Sequence, residues 1–156
     1  MNIGLLDIRP IESKEWDEAI DFVWRIFRSC NETNMPPEGK NSFSRFVHDE
    51  RLRGLYNSGY FRVYIIKLHE EIKGVVATKD YNHISLLFVE EEDQRRGIGS
   101  LLVKYIEILA LNNGVNQMTV NAAAGAEGFY KKNGYISAGL SHVEDGVRST
   151  PMVKFL

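Results

Sequence analysis

The sequence predicts an α/β (α+β) fold in a single domain spanning residues 1–156, with a mixed, mostly antiparallel sheet at its centre. Three observations carry that expectation. The chain has 44% hydrophobic and 26% charged residues, the balance of an ordinary folded domain. Three β-rich runs follow one another between Tyr60 and Val89 with only short turns between them, as antiparallel neighbours do. A helical stretch then separates the third run from a fourth at Gln117–Asn121, which calls for a right-handed parallel crossover.

Taken in order, Leu5 to Arg9 form a short apolar stretch ending at Pro10, suited to an edge strand because proline has no N–H for the ladder. Ser13 is placed to cap a helix whose Trp16, Ala19, Ile20, Val23 and Phe27 recur at three- and four-residue steps and form one buried stripe ending near Asn31. Met35-Pro36-Pro37-Glu38-Gly39 reads as loop, and Phe43, Phe46, Val47, Leu52, Leu55 and Tyr56 as a second helical stretch before Ser58-Gly59. From Tyr60 to Leu68 the pattern puts Phe61, Val63 and Ile65 on one face of a strand and Tyr64 and Ile66 on the other. His69-Glu70-Glu71 turns the chain into a strand at Ile72 to Thr78, and Asp80-Tyr81-Asn82 into another at His83 to Val89. Ser100 to Leu111 reads as a helix buried on most sides, stopped by Asn112-Asn113-Gly114. A short helix from about Ala126 to Lys132, closed by Asn133-Gly134, and strands near Tyr135–Ser141 and Met152–Leu156 complete the chain.

Composition removes several function classes. Nineteen basic against 21 acidic residues give a formal charge of -2 with no basic block, so no nucleic-acid partner held by phosphate contacts is expected. The single cysteine, Cys30, cannot close an internal disulfide and fits a reducing compartment, and no Cys/His cluster has zinc-ligand spacing, so no metal is expected. No apolar run approaches the roughly 20 residues of a membrane helix, and the N-terminus lacks the pattern of a leader; the expected location is cytoplasmic, with no membrane partner.

Gln94-Arg95-Arg96-Gly97-Ile98-Gly99 lies between a strand ending at Val89 and a helix starting near Ser100. The first turn of a helix carries unpaired N–H groups and the positive end of the macrodipole, and two glycines let an anion approach the backbone. The Lys-Ser/Thr of a Walker loop is absent, and Leu102 stands where a dinucleotide fingerprint needs its third glycine. Glu90-Glu91-Glu92-Asp93, just upstream, argues against a phosphate unless those carboxylates point elsewhere.

From His83 to Tyr135 the chain resembles the core of the GCN5-related N-acetyltransferase (GNAT) superfamily. Gln94 to Gly99 matches its pyrophosphate loop, Gln/Arg-x-x-Gly-x-Gly/Ala, at every fixed position. Val120-Asn121-Ala122-Ala123 and then Ala126-Glu127-Gly128-Phe129-Tyr130-Lys131-Lys132-Asn133-Gly134-Tyr135 resemble its second signature, in the family's order and spacing. The resemblance implies a sheet whose parallel strands, 83–89 and 117–121, splay apart, with helices on both faces. It implies acetyl-CoA as co-substrate, lying in the splay against Leu87, Phe88 and Val89. The pyrophosphate would then lie on Gln94, Arg95, Arg96, Gly97, Ile98, Gly99 and Ser100, with Asn121, Ala126 and Tyr130 completing the cofactor site. It implies a primary amine of a small molecule or peptide as acceptor, attacking directly in a ternary complex, and it allows a homodimer through terminal strands.

Two residues become candidates for catalysis. Tyr130 stands where the family places the acid for the departing thiolate; a phenol of pKa about 10 is protonated at neutral pH. His83 stands at the strand head where histone-modifying members carry a glutamate base, and an imidazole titrating near 6.5 does the same work. The plainer alternatives are a core aromatic and a strand-end histidine exposed to solvent or paired with Asp80. The stripe of Trp16 and Phe27 is core by its spacing, with Trp24 toward the acceptor cleft, and residues 24–43 are expected to hold acceptor specificity. Cys30 reads as a small buried hydrophobe rather than an acyl carrier. The alternatives from other classes are a non-catalytic acyl-CoA-binding or sensor module and a structural protein whose glycine loop is only a turn.

Overall fold

The computed structural model describes residues 3–31, 35–94 and 96–156, and of Cys30 and Asn31 the backbone alone. The expectation that Cys30 is a buried hydrophobe therefore concerns a side chain outside the described residues. Leu5–Asp7 form a 3-10 turn rather than strand, because the Asp7 carboxylate accepts from the Gly4 N–H at 2.9 Å and curls the chain. Strand β1 is only Ile8–Pro10. Ser13 does not cap the first helix: Ser13–Glu15 are themselves a 3-10 turn, and the Glu15 carboxylate takes the Glu12 N–H at 2.8 Å. Helix α1, Trp16–Asn31, follows with its predicted stripe buried.

Helix α2, Pro37–His48, begins where a loop is expected. A proline in the first helical turn loses no hydrogen bond and has its φ preset, so Pro36-Pro37 starts this helix rather than preventing one. The second helical stretch is in fact two pieces. Asp49 accepts from the Arg51 N–H at 2.9 Å and caps a separate helix α3, Glu50–Asn57.

Strands β2 (Phe61–Leu68), β3 (Glu71–Lys79) and β4 (His83–Val89) form the antiparallel run. Helix α4 (Ile98–Asn112) then crosses over to β5 (Gln117–Ala123), and β4–β5 is the parallel pair. Helix α5 (Glu127–Lys132) leads into β6 (Ile136–Ser137), β7 (His142–Glu144) and β8 (Val147–Phe155). The last two form a hairpin that the sequence pattern did not separate: Asp145-Gly146, both at positive φ, make its tight turn. The sheet runs β1-β2-β3-β4-β5-β8-β6, with β7 also on β8.

Helices cover both faces. Phe61, Val63, Ile65, Val75 and Ala77 pack with the α1 stripe, while Tyr64, Ile66, Val76, Met118 and Val120 pack with Leu102, Val103 and Ile106 of α4. The predicted alternation of β2 thus divides the two cores. α4 is less enclosed than expected, since Ile108 and Leu111 stay on the surface.

Candidate functional site

The parallel pairing of β4 with β5 is confined to His83↔Thr119 and Ile84↔Val120; past that point the strands part. Where they part, Ser85 has no partner on β3, because Ala77 faces Leu86 and Thr78 faces Ile84. Beyond this bulge the Glu90 N–H donates to the Lys73 carbonyl at 2.9 Å. Alternate residues of an antiparallel strand turn their backbone groups to the same neighbour, so Leu86 and Phe88 face β3 with Glu90. The N–H and C=O groups of Leu87 and Val89 therefore face the widening cleft. The Val89 carbonyl accepts from Gln94 Nε2 at 3.1 Å, which ties the start of the glycine loop to the end of the strand.

That loop ends in a helix start open to an anion. Gly97 is the N-cap of α4 at φ 82°, a left-handed conformation that an L side chain resists. The first intrahelical bond is Leu101 N–H to the Gly97 carbonyl, so Ile98, Gly99 and Ser100 present the N–H groups that no preceding turn satisfies. Gly99 has a packing reason of its own: a Cβ there would lie 3.1 Å from the Phe129 ring. Arg95 lies outside the described residues.

Three of the four upstream carboxylates are engaged by basic side chains. Glu90 pairs with Arg25 of α1 at 2.6 Å, and Lys73 of β3 draws Glu92 and Asp93, each at 3.7 Å. Asp93 also meets Arg96 at 3.3 Å. Beside the loop runs an open groove of about 950 Å³ lined by Arg96, Gly97, Ser100, Lys104, Lys132 and Lys154 among others. The one acidic side chain among its described lining residues, Glu107, is buried and engaged by Tyr135 Oη at 2.7 Å and Lys154 Nζ at 3.0 Å. Lys104, Lys132 and Lys154 escaped the sequence-based site, since they come from three separate elements.

At the head of β4, His83 Nδ1 lies 2.8 Å from Thr119 Oγ1, so the neighbour of His83 is a threonine and not Asp80. Burial, and then the Lys79 ammonium opposite it on β3, hold the His83 imidazole below its ordinary value. Tyr130 is 5% exposed, wedged between Phe129 and Tyr135 at ring separations of 5.1 and 5.5 Å. Burial pushes its phenol well above the usual value, so it stays protonated across the physiological range. Its hydroxyl makes no hydrogen bond to protein among the described residues.

The remaining candidates scatter. Ala126 is the N-cap of α5 and packs on the same core as Tyr130. Asn121 is exposed and alternates with the buried Val120 and Ala122, so it emerges on the Thr119 face. Phe88 stands apart from the loop: its ring lies 6.4 Å from Phe27 and 5.8 Å from Phe43. Trp24 stacks on the same pair at 5.8 and 6.4 Å, forming an aromatic wall between α1, α2 and β4. Among the described residues no group of three or more His, Cys, Asp or Glu is placed to hold a metal ion, and no helix is long and apolar enough to cross a membrane.

Residues 31–156 match the family model described as an acetyltransferase (GNAT) domain. A curated relative, the peptidyl-lysine N-acetyltransferase YjaB of Salmonella typhimurium, is 33% identical over 76 residues, which is 47% of this chain and 50% of that protein. The chain thus spans about half the length of the curated relative it matches. Among solved structures, a GCN5-related N-acetyltransferase from Rhodopseudomonas palustris superposes with a TM-score of 0.82 at 23% identity, covering 96% of this chain and 94% of that one. The PaiA N-acetyltransferase of Thermoplasma acidophilum, solved in complex with coenzyme A, gives a TM-score of 0.76 at 16% identity, covering 96% and 98%.

Proposed function

The chain belongs to the GNAT acetyltransferase family, and from that premise we propose that it transfers an acetyl group from acetyl-CoA to a primary amine of a small molecule or peptide, by direct attack in a ternary complex. One observation carries the proposal: the pairing of β4 with β5 stops after Ile84↔Val120, and the loop that follows β4 ends at the unpaired amides of α4. Acetyl-CoA would supply the activated acyl group as co-substrate. The residues present fit it. Leu87 and Val89 offer backbone groups to an extended chain with amides, as a missing strand would meet them. Ile98, Gly99 and Ser100 offer N–H donors to a diphosphate, and Lys104 and Lys132 add positive charge beside it, the charges of Arg96 and Lys154 being met by Asp93 and Glu107.

Within that arrangement His83 takes the proton of the incoming amine, its depressed pKa keeping the ring neutral near pH 7. Tyr130 donates its hydroxyl proton in a hydrogen bond to the departing sulfur. Its raised pKa makes it a donor that stabilises the thiolate rather than one that hands the proton over completely. The acceptor enters from the face that carries Trp24, Phe43 and Phe88.

Thiol release from acetyl-CoA, measured across a panel of amines that includes lysine peptides and small apolar amines, tests this reading. Turnover with any class supports an acyltransferase. Coenzyme binding without turnover across the panel favours a module that holds an acyl-CoA unreacted, and absence of both binding and turnover overturns the proposal. Binding at 100 times Kd stabilises the native state by about 2.7 kcal/mol, which a melting curve registers.

A further inference from the structure

We infer that Thr119 is a positioning residue, which fixes His83 in the tautomer that carries its proton on Nδ1 and leaves Nε2 bare as the basic nitrogen. The inference deepens the proposed function and rests on the assignment of His83 as its base. Thr119 is not part of either family signature; what singles it out is its hydroxyl, shared between two neighbours.

Thr119 Oγ1 lies 2.8 Å from His83 Nδ1 and 3.2 Å from the Asn82 carbonyl. A hydroxyl has one proton to give. The carbonyl accepts only, and it also takes the Thr119 N–H at 2.9 Å. With the hydroxyl proton directed to Asn82, both contacts are hydrogen bonds: Nδ1–H donates to Oγ1, and Oγ1–H donates to the carbonyl. With the proton directed to Nδ1 instead, Oγ1 and the carbonyl oxygen face each other as two acceptors with nothing between them. The first arrangement satisfies every group, so the ring carries its proton on Nδ1. Nε2 meets no protein group among the described residues.

The relay is also held in place. Thr119 is opposite His83 in the short parallel pairing and opposite Val153 on β8, so its backbone is fixed from both sides. Threonine is β-branched, which limits χ1 and keeps the hydroxyl aimed. Lys79 of β3 is the charged neighbour that bears on the ring.

The test compares Thr119→Val, which keeps the shape and removes the hydroxyl, with Thr119→Ser, which keeps the hydroxyl. Nitrogen-15 correlation spectra of His83, recorded on the protein without substrate at alkaline pH, read the tautomer directly. The wild type and Thr119→Ser should show Nδ1–H, and Thr119→Val should lose that preference. In steady-state assays Thr119→Val should lower kcat/KM about five- to tenfold, the rate equivalent of one neutral hydrogen bond, while coenzyme affinity holds and Thr119→Ser recovers most of the rate. Nε2–H in the wild type, or a wild-type tautomer and rate in Thr119→Val, overturns the inference. A His83→Ala protein whose pH profile is unchanged overturns instead the base assignment beneath it, and the spectra tell the two failures apart because they need no turnover.

Discussion

Replacing Gly97 with alanine isolates the backbone geometry of the glycine loop, the proposed diphosphate site, from every side-chain effect. Gly97 holds φ 82° and ψ 7° at the N-cap of α4, and a Cβ built there meets no heavy atom within 4 Å. No clash enters, so the cost is torsional: about 1–2 kcal/mol for a residue other than glycine held in the left-handed region. That strain has two places to go. If the free protein keeps the loop as it stands, the fold bears the cost, and Tm falls by about 2–4 °C for each kcal/mol in a domain of this size. If the loop relaxes when empty, the coenzyme must restore it, and Kd for coenzyme A rises by about five- to thirtyfold. The two losses add to one strain, so thermal melting without ligand and titration calorimetry with coenzyme A close a cycle. Gly97→Asn should lose less on both measures, because asparagine tolerates this conformation. Wild-type Tm together with wild-type Kd in Gly97→Ala would refute the claim that the left-handed turn shapes a binding site.

The remaining predictions concern the chemistry and the acid stability. Tyr130→Phe should lower kcat about ten- to hundredfold, the worth of a hydrogen bond to a charged group, with coenzyme affinity unchanged; equal turnover removes Tyr130 from the reaction. The acid limb of kcat/KM should lie below 6.5, because burial and Lys79 lower the His83 pKa, and it should flatten in His83→Ala as the overall rate falls; an unchanged profile assigns the base elsewhere. Glu15 is buried and bound by Arg9 at 2.8 Å and Lys67 at 3.1 Å, and its hydrogen bonds to Arg9 hold its pKa far below the usual carboxylate range. A depressed folded pKa means stability that is full above about pH 4.5 and lost as pH falls toward the folded value. Denaturant titrations of Glu15→Gln and wild type should therefore differ most near neutrality and converge in strong acid; a gap independent of pH would mean packing rather than charge.

What the sequence reveals and hides follows from where each signal resides. β2 was legible because Phe61, Val63 and Ile65 alternate with Tyr64 and Ile66 strictly enough to sort into two cores. The glycine loop was legible because Gly97 answers a local demand, a positive φ between a strand and a helix. α2 was misjudged because Pro36-Pro37 reads equally as a breaker and as a first turn, and only the chain around it decides. The β7–β8 hairpin had a local signal in Asp145-Gly146, but the flanking residues of β7 are all exposed and carry no apolar alternation. Lys104, Lys132 and Lys154 reach one groove from α4, α5 and β8, a convergence that no window of sequence contains. Thr119 belongs with them, for its meaning lies in the 2.8 Å to a residue 36 positions away.

The unpaired Ser85 joins these parts into one device. Before it, Asn82 turns its carbonyl toward β5, where it takes the Thr119 N–H, and the even-numbered residues of β4 face that strand. After it, Leu86 and Phe88 face β3, and the odd-numbered Leu87 and Val89 face the cleft. One extra residue therefore ends the parallel pairing and exchanges which backbone groups are left unpaired. Side chains follow the same exchange: Ile84 and Leu87 lie in the α4 core, while Leu86 and Phe88 lie on the α1 side. Without the bulge, Leu86 and Phe88 would turn their amides into the cleft, Leu87 would point its side chain at α1, and the strand would have no reason to part from β5. The short paired segment that holds His83 beside Thr119 and the unpaired backbone of Leu87 and Val89, where the proposed coenzyme would lie, are thus separated by a single insertion. On this argument, deleting Ser85 should abolish coenzyme binding while His83 keeps its place beside Thr119. Coenzyme binding at wild-type affinity in the deletion would show that the bulge does not make the cleft.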